Sequence, residues 1–147
     1  MVELMFPAVM LLTSIFDTHP VIEAGMEYNL PKHAISNNCL RMLAEKHARS
    51  MATRRHQDHK DWDNGRQMGR FWDIQIEMPG VEAREICAES WPGDSVKEAA
   101  AGCWDEWKTS PGHWSVANGK PDLYGVGMAR SRKGIYYICI IAVWERP

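Results

Sequence analysis

The chain has no pair of cysteines at C-x-x-C spacing, which excludes a structural zinc site of the usual kind. Its four cysteines, Cys39, Cys87, Cys103 and Cys139, are widely separated. They leave two readings open: two disulfides in any of three pairings, or four small buried thiols. Three of them fall on apolar faces, which favours the thiols. A basic excess is also missing. Lys and Arg number 17 against 19 Asp and Glu, a formal net charge of -2, so no nucleic-acid partner is expected. The one basic cluster, Arg54-Arg55-His56, is followed at once by Asp58, Asp61 and Asp63 and reads as a solvated helix end.

No apolar run is long enough to span a bilayer. The nearest, Leu4–Phe16, resembles the core of a secretion signal, yet it has no preceding Lys or Arg, follows Glu3, contains Pro7 and lacks a small-x-small cleavage site. Residues 1–18 therefore read as an apolar arm that packs on the domain or on a protein partner; a degenerate secretion signal is the other reading. Repeats and low-complexity linkers are absent, so residues 19–147 read as one domain. Gly125-Val126-Gly127 lacks the third glycine and the following helix that a nucleotide loop needs.

What remains is well patterned. Pro20 suits the first turn of a short helix over Val21–Tyr28. Leu40, Leu43, Ala44, His47, Ala48 and Met51 fall at helical offsets behind a candidate N-cap at Ser36, predicting a helix over Asn37–Arg55 with that stripe inward. His47 then reads as a satisfied core residue. His56–Val81 reads as a long irregular excursion with a short strand near Trp72–Ile76, and Glu85–Ser90 as a strand. Ser95 and Glu98 form a capping box ahead of Val96, Ala99, Ala100, Cys103, Trp104 and Trp107, again at helical offsets. Ser110-Pro111-Gly112 should end that helix. Tyr124–Arg130 and Ile135–Trp144 read as a hairpin turning at Ser131–Gly134, the last strand buried on both faces. Helices at either end with strands between predict an α+β fold, with helices packed on a mainly antiparallel sheet.

Four segments in this order resemble the CAP superfamily of cysteine-rich secretory, antigen 5 and pathogenesis-related proteins. Ala48-Arg49-Ser50-Met51-Ala52, with His59 eight residues past Met51, resembles the family's A-x-x-M-A helix and trailing histidine. Arg84-Glu85-Ile86-Cys87-Ala88 stands where the family has G-E-N-I-A, matching at the glutamate. Trp107-Lys108-Thr109-Ser110-Pro111-Gly112-His113 resembles the bacterial W-x-x-S-P-G-H, and with Trp114 it is similar to phage-encoded and cyanobacterial versions. Tyr124–Ala129 and Tyr136-Tyr137 resemble the G-V-G strand and the closing aromatic strand. The family's H-N-x-x-R helix motif is absent, and Ser110 replaces its second glutamate.

The resemblance implies an α-β-α sandwich and one cleft holding His59, Glu85 and His113. The two histidines are the implied ligands of zinc or another divalent metal, with Glu85 acting directly, through water, or as a partner that orients a histidine. The other reading is that both histidines only hydrogen-bond to the loops closing the cleft. Ser110, His113 and Glu85 invite a nucleophile reading, but a serine before Pro-Gly is also ordinary turn chemistry. Glu89 shares a strand face with Glu85 and is its alternative. The expected function is a binding module for a metal, lipid or glycan. A structural component of a phage particle or cell envelope is the alternative, and a metal- or serine-dependent hydrolase comes third. An extracellular, envelope or virion setting goes with these readings.

Overall fold

The computed structural model describes residues 19–65 and 67–146; the arm expected over 1–18 lies outside the described residues. Pro20 opens helix α1 (Pro20–Ala24), where its missing N–H costs nothing, and His19 caps it by accepting from the Val21 N–H at 3.1 Å. The helix expected over Val21–Tyr28 stops at Ala24, and a second short helix not expected from the sequence, α2 (Asn29–His33), follows it. They are separated because Gly25 lies against the Trp104 indole, where a Cβ would sit 2.2 Å from the ring.

Strand β1 (Ile35–Ser36) leads into the long helix α3 (Asn38–Arg54), capped by Asn37 rather than Ser36: Asn37 Oδ1 accepts the Leu40 N–H at 3.0 Å. The predicted strand near Trp72–Ile76 is overturned. That stretch is helix α4 (Arg70–Glu77), its first turn anchored by N–H bonds from Arg70 to Asp61 O and from Phe71 to Trp62 O. Strand β2 (Glu82–Glu89) follows, then α5 (Val96–Lys108) with the expected capping box formed in both directions. Ser110-Pro111-Gly112 does end α5, but Pro111 also starts a helix that the sequence pattern does not announce, α6 (Pro111–Ala117). Strands β3 (Leu123–Arg130) and β4 (Tyr136–Trp144) close the chain.

The sheet runs β1-β3-β4-β2, with β4 antiparallel to both neighbours and β1 parallel to β3. Because side chains alternate along a strand, β4 supplies both cores. Tyr137, Cys139, Ile141 and Val143 pack with Leu40, Ala44, Ala48 and Met51 of α3. Ile138, Ile140 and Ala142 pack on the other face with Trp104, Trp107, Val116 and the residues of α1. The result is the expected α-β-α sandwich. Gly125 and Gly127 set the spacing of its α3 layer: a Cβ on Gly127 would lie 2.4 Å from Ala44 C and O and from Glu45 N, all backbone. The G-V-G pattern is thus a bed for a helix.

Trp104 and Trp107 are fully buried, and each indole N–H is satisfied, by Val21 O at 2.8 Å and Cys87 O at 3.0 Å. The second bond, with one from Gln57 Nε2 to the same oxygen at 3.3 Å, satisfies the Cys87 carbonyl of the edge strand β2. All four cysteines are free, as favoured.

Candidate functional site

Glu85 is the centre of the site. It lies on β2 with its side chain 1% exposed, so its charge must be met inside the protein. Arg70 meets it with two bonds, Nε to Oε2 at 2.7 Å and Nη2 to Oε1 at 2.9 Å. Arg70 is itself fixed by donating to Lys60 O at 2.7 Å and by the Trp62 ring, 6.0 Å away. The loop reaches this position because Gly69, at φ 111°, brings its Cα against the Asp61 carbonyl; a Cβ there would lie 2.2 Å from that oxygen.

His59 adds a third bond to Glu85, from Nδ1 to Oε1 at 2.9 Å, while its side chain stays 46% exposed. The proton on Nδ1 leaves Nε2 as the uncommitted ring nitrogen. Behind this layer lies His47, buried as expected on the α3 stripe. It donates from Nε2 to Asp58 O at 2.8 Å, and the same nitrogen is 3.6 Å from Glu85 Oε1. Asp58 is held in turn by Arg54 through bonds of 2.6 and 3.0 Å. Cys87 Sγ, fully buried, is 3.9 Å from both His59 Nδ1 and Glu85 Oε1, and Cys139 stands directly opposite it on β4.

The electrostatics follow from these contacts. Burial would raise the Glu85 carboxyl, but the bonds from His59 and Arg70 outweigh it and hold it below the ordinary value. His59 is pushed up to about 10, first by its hydrogen bond with Cys87 and then by Glu85. Cys87 is pulled down to about 5 by its bond with Cys139 and by the two histidines, against its burial. Burial pushes its neighbour Cys139 well up. The bond from Arg54 brings Asp58 down to about 2.

His59, Glu85 and His113 line one cavity of about 410 Å³, with Trp62 and Arg84 on its wall. The three residues singled out in the sequence thus come together. Ser110 does not line this cavity. It is the N-cap residue of α6, and among the described residues it makes no hydrogen bond with His113. Glu89 is exposed and does not line the cleft.

Arg70 and Cys87 carry no sequence signal for this site. Arg70 lies in a stretch that reads as loop, and Cys87 on an apolar face. His47 reads from sequence as core alone, which is half its role.

Ligand atoms of His47, Glu85 and Cys87 lie within 4.8 Å of one another. That set fits a cation poorly, since Asp58 O takes the His47 Nε2 proton and the Arg70 guanidinium occupies both Glu85 oxygens. His59 and His113 line the same cavity. Its carboxylate–histidine pair is the arrangement that fixes a ligating ring by its far nitrogen.

Residues 27–141 match the family model described as "CAP: Cysteine-rich secretory protein family". No curated protein matches the chain. Among solved structures, an outer surface protein from Borrelia burgdorferi aligns at TM-score 0.63 and 16% identity, covering 89% of this chain and 97% of that one. Venom allergen-like protein 4 of Schistosoma mansoni aligns at TM-score 0.47 and 12% identity, covering 83% of this chain and 84% of that one.

Proposed function

We propose, on the premise that this chain belongs to the cysteine-rich secretory protein (CAP) family, that it is a binding module whose cleft takes a divalent cation between His59 and His113 without turnover. The observation that carries this reading is the hydrogen bond from His59 Nδ1 to the buried Glu85 carboxylate. It sets the ring's tautomer and leaves Nε2 as its available donor in a cavity that His113 also lines. Zinc takes neutral imidazoles, so it would displace the Nε2 proton that His59, raised to about 10, carries at neutral pH, with water filling the remaining positions. Glu85 serves as the partner that orients His59, because Arg70 already engages both of its oxygens.

A bound zinc would act as a Lewis acid, polarising an oxygen ligand in the cleft. The protein's own residues hold and orient. Arg70 keeps Glu85 ionised, Glu85 fixes His59, and Trp62 gives the cavity an apolar side against which a lipid or glycan chain can pack. A serine nucleophile finds no support, since Ser110 lacks the histidine contact it would need.

Calorimetric titration of zinc into the chelator-treated protein tests the reading. One ion per chain is expected, with affinity falling at least about tenfold in His59→Ala and in His113→Ala, and about ten- to hundredfold in Glu85→Gln. Equal binding by wild type and both histidine variants would remove the cation from the cleft. An extracellular or envelope setting is part of the proposal, supported by the outer surface neighbour. Recovery of the native protein only from the cytosolic fraction would overturn it.

A further inference from the structure

On the α3 side of the sheet lies a second cavity, about 590 Å³, that shares no lining residue with the cleft. Four arginines line it: Arg49 and Arg55 from the end of α3, and Arg130 and Arg132 from the end of β3 and its turn. The fold brings these pairs together from distant parts of the sequence, one from the Arg54-Arg55-His56 cluster and its helix, the other from Arg130-Ser131-Arg132-Lys133. Its lining contains no Asp or Glu. Among the described residues, none of the four guanidinium groups has a carboxylate within ion-pair distance, although Arg41, Arg54, Arg70 and Arg84 all do.

Four like charges facing one concavity repel each other, and the chain as a whole carries a formal net charge of -2. Concentrating positive charge in this hollow focuses its potential on whatever enters. The wall also carries a buried donor. Ser131 is 4% exposed, and its Oγ accepts the Ile135 N–H at 3.2 Å, which pins the turn. Among the described residues its hydroxyl proton goes to no acceptor. Gly134, at φ 78°, lets the turn close beneath the Arg130 guanidinium; a Cβ there would lie 3.0 Å from Nη2. The planar guanidinium fork pairs two N–H groups with two oxygens of a tetrahedral oxyanion. An arginine-rich lining of this size, with the hydroxyls of Thr53 and Ser131 beside the guanidinium groups, suits a small molecule with several acceptor oxygens better than a single ion.

We propose that this cavity binds a ligand bearing two or more phosphate groups, held by Arg49, Arg55, Arg130 and Arg132 with Ser131. Two sources share that chemistry, a soluble phosphate ester and the phosphorylated headgroup of a lipid. The arms of the test separate them.

The soluble arm titrates inorganic pyrophosphate into the intact protein by calorimetry. The lipid arm measures sedimentation with vesicles of phosphatidylcholine, with and without a tenth of phosphatidylinositol bisphosphate. Saturable binding in either arm is expected. It should weaken at least about tenfold in Arg132→Ser and in Arg49→Ser, be unchanged in Lys97→Ser, and fall steeply with added salt. Binding in the soluble arm assigns a free phosphate ester; binding confined to the vesicles that contain the bisphosphate assigns the headgroup. These arginines are exposed, and a circular dichroism melt unchanged from wild type confirms that each variant is folded. No saturable binding in either arm, or equal loss in Lys97→Ser, overturns the proposal.

Discussion

Replacing Arg70 by methionine should destabilise the fold more than any other single charge change near the cleft. The substitution keeps most of the apolar stem and removes two bonds of 2.7 and 2.9 Å to a carboxylate whose side chain is 1% exposed. It also leaves Lys60 O without its 2.7 Å donor. Breaking a buried pair from one side costs about 3–5 kcal/mol, because the remaining charge stays buried without its partner. The lower end applies here, since His59 still donates to Glu85 at 2.9 Å; about 3 kcal/mol is the working figure, or roughly 10 °C in melting temperature. The double variant Arg70→Met/Glu85→Gln removes the stranded charge while keeping an amide oxygen for His59. It should be more stable than Arg70→Met alone by about 1–2 kcal/mol. Urea denaturation of the wild type and the three variants completes the cycle. If Arg70→Met costs less than about 1 kcal/mol, or if the two substitutions simply add, the carboxylate is not held as described.

Gly127→Ala should cost at least about 2 kcal/mol, because its Cβ would meet helix backbone at 2.4 Å and α3 would have to lift from the sheet. Thermal melting compared with the exposed control Gly102→Ala, which has open space around it, checks this. The pH profile of the chelator-treated protein offers a separate test. His59, raised to about 10, contributes stability that is full below its unfolded value of 6.5 and lost as pH climbs toward 10. Cys87, depressed to about 5, contributes stability that is full above its unfolded value of 9.0 and lost as pH falls toward 5. Between the unfolded values of 6.5 and 9.0 the two slopes oppose each other, with the raised His47 adding a small decline at the lower end, so urea midpoints should change less there than on either side. A steady decline through about pH 7–8 would exclude the paired imidazolium and thiolate. Further acid loss is expected between about 4 and 2 as Asp58 is protonated against Arg54.

The sheet and the two long helices were legible because each rests on a local pattern that the fold does not contradict. The Leu40–Met51 stripe and the Ser95–Glu98 box are helix signals that need no distant partner. Trp72–Ile76 misleads because its apolar and polar residues alternate, which is a strand pattern. The segment turns helical on the carbonyls of Asp61 and Trp62, with Ile76 left 74% exposed. At Pro111 the same residue that stops one helix starts the next, because a proline at the first helical position forfeits no hydrogen bond.

Periodicity, capping chemistry and turn signals were enough to set the layers, the hairpin and the thiols on apolar faces, while the sharing of a cleft by His59, Glu85 and His113 was implied only by the family resemblance. The former signals are short-range along the chain. It took the closed fold to show that Arg70 and Cys87 belong to Glu85, that the G-V-G glycines seat a helix, and that four arginines from two distant segments face one hollow. Charge pairing and burial are properties of distances in space, and a side chain acquires its partners only when the sheet has closed between them.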